Sequence, residues 1–147
     1  MSLSKCLKIW LAEPLPEDES GCLSLAWTNL GSLIEGTMKL FLSVWYKNYK
    51  NDIEAIRKKG RLIDPDSLSL EPVRVFFRKR IWRNKDEHWD GWIRRIQYRR
   101  NAIHAYKSRK IGTFKEFFLD VREYLEFLRC INGRLPYPDI IYMPSEV

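Results

Sequence analysis

One run constrains this chain more than any other. Leu23, Trp27, Leu30, Ile34, Met38, Phe41 and Trp45 recur at spacings of three and four, which traces one face of an α-helix. The stripe predicts a helix from about Ser20 that reaches Ile53 and Ile56. Leu33, Leu40 and Leu42 widen it, as suits a helix packed on two sides. No run alternates at period two, and no Asn-Gly or Asp-Gly hairpin turn joins two such runs, so strands are not expected. A helix so long and apolar needs other helices to cover it. The chain is therefore expected to be all-α, an antiparallel bundle of four or five helices forming one domain over residues 1–147.

The rest of the chain supplies those helices. A short N-terminal one around "LSKCLKIWLA" ends before Pro14 and Pro16. "GRLIDPDSLSLEP" reads as a connection and "VRVFFRKRIW" as the next helix. Asn84 with Glu87 resembles a capping box, followed by the stripe Trp89, Trp92, Ile93, Ile96 and Ile103. Thr113 with Glu116 is a second box, and Phe114, Phe117, Phe118, Val121, Tyr124, Leu125, Leu128 and Ile131 mark the core face after it. Gly133 and Pro136 stop that helix, leaving an irregular, proline-rich tail from about 134 to 147.

Charge is concentrated in one quarter of the chain. Residues 74–110 carry a net charge of +10, against −1 for residues 1–73 and −2 for residues 111–147. Such a block suits a polyanion, nucleic acid first and acidic membrane second, though cationic runs on helices are also ordinary solvated faces. Cys6, Cys22 and Cys130 show no C-x-x-C spacing, and two histidines are too few to build a zinc site with them. They read as reduced thiols of a cytoplasmic protein. Neither a signal peptide nor a membrane span is expected, because Lys5, Lys8, Glu35 and Lys39 interrupt the apolar stretches. No cofactor or metal is expected.

The stretch "YRRNAIHAYK" breaks the helical logic. At 100° per residue from Trp89, the apolar face of its helix centres near about 350°. Arg100 then falls at about 20°, on that centre, with Arg99 at about 280° and His104 at about 60° flanking it. A guanidinium facing a core is costly unless it is paired, or unless the face opens to a cleft or a partner. Three readings follow: a core histidine with a salt-bridge network, a phosphate-binding patch, or a pair in which histidine moves a proton and arginine stabilises charge.

"RRNAIHAY" resembles the signature of the HEPN domain, a family of helical-bundle proteins named for higher-eukaryote and prokaryote nucleotide binding. Arg99, four residues, His104, then Ala105 and Tyr106 is similar to the R-x4-H-x-Y form of HEPN toxins, late in the chain and before one more amphipathic helix. The resemblance implies metal-independent endoribonuclease activity. His104 would be the general acid or base, Arg99 would stabilise the phosphate, and Arg100, Asn101 and Tyr106 would support the site. It implies a homodimer with two motifs in one cleft, the toxin role of a toxin–antitoxin pair, and a nucleotidyltransferase-type antitoxin that modifies Tyr106. A HEPN-fold module that binds RNA, nucleotides or a protein without turnover is the other reading. The register leaves the working arginine open, since Arg100 lies i,i+4 from His104 whereas Arg99 lies about 140° from it.

RNA contacts are expected from Arg78, Lys79, Arg80, Arg83, Arg94, Arg95 and Lys107. Trp82, Trp89 and Trp92 interleave with these cations and could stack on bases, but at helical spacing they read as core. His88 sits beside three carboxylates, which is accounted for by acids favouring the first turn of a helix.

Overall fold

The computed structural model describes residues 2–12, 14–104 and 110–136. In chain order its elements are α1 (Leu3–Cys6), α2 (Glu19–Val44), α3 (Tyr46–Asn51), β1 (Arg57–Lys58), β2 (Arg61–Leu62), α4 (Leu70–Arg80), α5 (Glu87–Arg100) and α6 (Phe114–Asn132), with short 3-10 turns between several of them. Helix α2 is the axis: it touches each of the other helices. It buries the expected stripe from Leu23 to Phe41, with Leu42, whereas Leu40 is 59% exposed. Trp27 meets Phe117, the Thr37 hydroxyl meets that of Tyr124, and the Trp45 indole donates to the Arg134 carbonyl. These pairs rise together along both helices, so α6 runs parallel to α2. Helix α5 runs against α6, since Arg99 meets Glu116 while Trp89 meets Phe127.

The predicted continuation of α2 to Ile56 does not form. Trp45 leaves helical geometry at φ −93° and ψ 29°, α3 resumes for a short stretch, and Ile53 is 87% exposed. The Asp52 carboxylate accepts from the Glu54 N–H, turning the chain, and the Tyr49 hydroxyl takes the Ile56 N–H at 3.2 Å. An unexpected hairpin follows. Lys59 and Gly60 both adopt positive φ, 49° and 77°, which is what a tight two-residue hairpin turn needs. A lysine at the first of those positions carries no turn signal.

Two further expectations are corrected. Asn84–Asp86 form a 3-10 turn rather than a capping box with Glu87, because the Asp86 carboxylate takes the Arg83 N–H and the Arg134 guanidinium instead. On α6, Leu125 is 52% exposed and Phe127 is fully buried, ringed by Trp82, Trp89 and Trp92 at 5.4–6.2 Å between centroids. The three tryptophans are therefore core. The Thr113–Glu116 box is formed, with each residue's side chain taking the other's N–H. No helix among the described residues is long and apolar enough to cross a membrane. Most of the expected irregular tail, residues 137–147, lies outside the described residues.

Candidate functional site

On α5, Trp92, Arg95 and Arg99 are spaced three and four apart and so share one side; on α6, Glu116 and Asp120 are spaced four apart. The two rows face each other. Asp120, only 5% exposed, accepts from Trp92 Nε1 at 3.0 Å, from Arg95 at 2.6 Å and from Arg99 at 3.4 Å. Arg99 also donates to Glu116 at 2.9 Å, and its guanidinium carbon lies 4.5 Å from the centroid of the Trp27 ring. The Trp27 indole N–H is itself taken by the Ile111 carbonyl at 2.8 Å, which fixes the ring. Gly112 makes room beside this cluster. Its φ is +78°, and a Cβ there would run into the Glu116 carboxylate.

The helical projection put Arg100 at the centre of the buried face, but Arg99 is the deeper residue, 9% exposed. The two arginines straddle the seam, Arg99 toward α6 and Arg100 across α2. Gly31 allows the second path, since a Cβ there would lie 2.7 Å from Arg100 Cδ. The Arg100 guanidinium reaches Glu35 at 2.6 Å, which Lys39 also holds at 2.7 Å. Burial pushes the Glu35 carboxyl up, but the hydrogen bonds from Lys39 and Arg100 outweigh it and hold the group below its ordinary value. The Thr113 N–H first, and then Arg99, hold Glu116 below its ordinary value too. The charge that interrupts the apolar stripe is thus paired with carboxylates.

His104 stands apart from that cluster. Helix α5 ends at Arg100, and Asn101–His104 wind as a 3-10 turn packed on α2 and α5. The tighter turn changes the angular register, so Ile103 is 42% exposed instead of continuing the stripe, and Asn101 and His104 face solvent. Tyr106 and Lys107 lie outside the described residues.

The other cations do not form one patch. Arg78, Lys79 and Arg80 form the last turn of α4 and Arg83 follows in the connection that leads into α5, whose length of about 20 Å separates its first turn from the His104 turn. Lys79 pairs with Glu54 and Arg80 with Asp52, both at 2.7 Å, and Arg95 is tied to Asp120. Arg78, Arg83 and Arg94 are exposed and in no ion pair among the described residues. His88 lies against the Trp89 ring, centroids 4.3 Å apart, and no group of three or more His, Cys, Asp or Glu among the described residues could hold a metal ion.

Sequence reasoning missed Asp120 and Glu35, and saw Glu116 only as a cap. A signal was available: acids at i,i+4 on one helix match arginines at i,i+4 on its neighbour. A comparison with family models, curated proteins and solved structures finds no match to this chain.

Proposed function

We propose that this chain is a HEPN-like endoribonuclease that cleaves RNA with its own side chains. The observation that carries the reading is the run Arg99-x4-His104-x-Tyr106, set where α5 gives way to a 3-10 turn that leaves His104 in solvent. His104 moves the proton as the substrate's 2′-hydroxyl attacks the adjacent phosphorus, forming a 2′,3′-cyclic phosphate and releasing a 5′-hydroxyl. Arg99 stabilises the charge on the phosphate oxygens. Its inner partner Asp120 keeps it oriented, and its outer partner Glu116, half exposed, gives way to the phosphate. The toxin role, the pairing of two copies across one cleft and a nucleotidyltransferase-type antitoxin acting on Tyr106 belong to this same reading.

A second reading, RNA binding without turnover, is favoured by one contrast: Arg99 and Arg100 are neutralised by carboxylates, whereas Arg78, Arg83 and Arg94 are exposed and in no ion pair among the described residues. Incubating the protein with single-stranded RNA in chelator separates the two. Cyclic-phosphate products that vanish in His104→Ala support cleavage, and the exposed position predicts a stability change within about 0.5 kcal/mol. No products, with a salt-sensitive RNA affinity that survives His104→Ala, establishes the binding module instead.

A further inference from the structure

Helices α5 and α6 leave an opening of about 260 Å³ between them, lined by Arg95, Arg99, Glu116, Leu119 and Asp120. Two guanidiniums and two carboxylates face it, and their charges balance. The two acids are not equivalent. The Asp120 side chain is 7% exposed, and accepts from Arg95 on Oδ1 and from Arg99 on Oδ2. The Glu116 side chain is 47% exposed, and its oxygens are divided: Oε1 accepts from Arg99 Nη2 at 2.9 Å, and Oε2 from the Thr113 N–H at 2.8 Å. Arg99 is thus anchored inward by one nitrogen and covered outward, on the other, by a carboxylate that water reaches.

That outer nitrogen is where a phosphate oxygen would meet the same guanidinium. A phosphodiester carries one negative charge, as Glu116 does, so one can replace the other without changing the balance. If Glu116 stayed, the arriving phosphate would set three anionic groups against two guanidiniums, in a seam where an unpaired charge is costly. Gly112 leaves the nitrogen approachable, since a Cβ there would lie 3.0 Å from it.

We propose that Glu116 is an internal competitor of the substrate: it holds on Arg99 the place of a phosphodiester, which binds between Arg95 and Arg99 as the carboxylate turns away. The bearing of this competition on catalysis rests on the ribonuclease reading; the anion site itself does not.

Titration of the full chain with dimethyl phosphate, followed by NMR on the Arg99 side-chain N–H signal, tests this; Arg99→Met identifies the signal. Glu116→Gln is expected to bind about tenfold more tightly than the wild type. Glutamine keeps the cap through its amide oxygen and turns an N–H, not an acceptor, toward Arg99. Glu116→Ala should show the same gain while melting at a lower temperature, which separates the charge from the cap. The proposal is overturned if neither variant binds more tightly than the wild type. It is also overturned if dimethyl phosphate moves other arginine signals but not that of Arg99, the mark of adventitious binding to a basic chain. With single-stranded RNA, Glu116→Gln should lower KM about tenfold and leave kcat within about threefold. A fall in kcat of about tenfold makes Glu116 a participant in the reaction and overturns the proposal. A wild-type protein that cleaves no RNA removes the ribonuclease reading alone, because the dimethyl phosphate titration still decides whether Glu116 competes.

Discussion

The two ends of the bundle use one device in different surroundings. At the motif end, Arg99 lies 4.5 Å over the Trp27 ring and is held by Asp120; at the other, Arg134 lies 5.4 Å over the Trp82 ring and is held by Asp86. Both aspartates are 5% exposed. An arginine stacked on tryptophan and tied to a buried aspartate is thus a way this fold closes a helix seam. Its presence at Arg99 is no mark of catalysis by itself. The difference lies in what stands beside it: an exposed histidine at one end, an open cavity lined in part by Trp45, Asn48, Arg80 and Arg83 at the other.

Removing the aspartates should produce the largest effects, and unequal ones. Asp120→Ala strands Trp92 Nε1 in the seam, frees Arg95 and leaves Arg99 with Glu116 as its one carboxylate, so a loss of about 3 kcal/mol is expected in chemical denaturation. Asp86→Ala should cost only about 2 kcal/mol, because Arg134 keeps the Ile81 carbonyl at 3.1 Å and its stack on Trp82. Equal losses would mean that the threefold acceptance at Asp120 adds nothing.

Removing the arginines reverses the order of stability and separates structure from function. After Arg99→Met, Asp120 retains Trp92 and Arg95, and Glu116 retains its cap, so the fold should be nearly unaffected. After Arg134→Met, Asp86 keeps only the Arg83 N–H at 3.4 Å, a loss of about 2–3 kcal/mol. RNA cleavage should go the other way. Arg99→Met is expected to lower kcat by about 10²–10³, as removal of a charge-stabilising group does, and Arg134→Met to leave it within about threefold. If both variants cleave alike, Arg99 is the same seam closure as Arg134 and no more.

These paired residues also show what the sequence made legible. The stripe on α2, the cap of α6 and the burial of Trp82, Trp89 and Trp92 follow from spacing and chemistry local to each helix. The motif itself was readable, and so was the requirement that charge on a buried face be paired or opened to a cleft or a partner, of which the structure shows the pairing. Its partners were legible only in part: the i,i+4 acids Glu116 and Asp120 match Arg95 and Arg99, but nothing local points from Arg100 to Glu35, 65 residues earlier. Helical periodicity gives a face but not the neighbour across it. The end of α5 was hidden for a related reason: no glycine or proline marks Arg100, and only the turn to 3-10 geometry moves Ile103 and His104 outward. The break at Trp45 and the hairpin at Lys59 were lost in the same way, since neither residue type announces its backbone state.

A smaller effect should come from Gly31, which has no counterpart at the cavity end. Gly31→Ala sets a methyl group 2.7 Å from Arg100 Cδ, forcing the side chain off α2 and weakening its bond to Glu35. A loss of about 1–2 kcal/mol is expected by thermal unfolding. The double variant Gly31→Ala with Arg100→Ala should recover most of it, since the obstacle is then gone. No recovery would place the strain in the α2 backbone instead.

The last contrast is one of titration, and it turns on which interaction lowers each acid. Glu116 and Asp86 both lie below their ordinary values. A depressed carboxyl stabilises the fold above its unfolded pKa and loses that contribution as pH falls through its folded one. Both ends should therefore weaken below about pH 4.5. The main cause at Glu116 is the Thr113 N–H of the cap, with Arg99 second. At Asp86, burial pushes upward most strongly and the Arg134 hydrogen bond is the chief interaction pulling the group down. Carboxylate NMR titrations should then show Glu116 still depressed in Arg99→Met, whereas Asp86 loses its main lowering interaction and rises in Arg134→Met. The cap depends on backbone geometry that Arg99 does not supply, so half of the motif end's electrostatics survives without its arginine. At the cavity end the long bond from the Arg83 N–H, at 3.4 Å, and the charge of Lys85 are what remain against the burial of Asp86, so that carboxylate depends on its arginine more than Glu116 depends on Arg99.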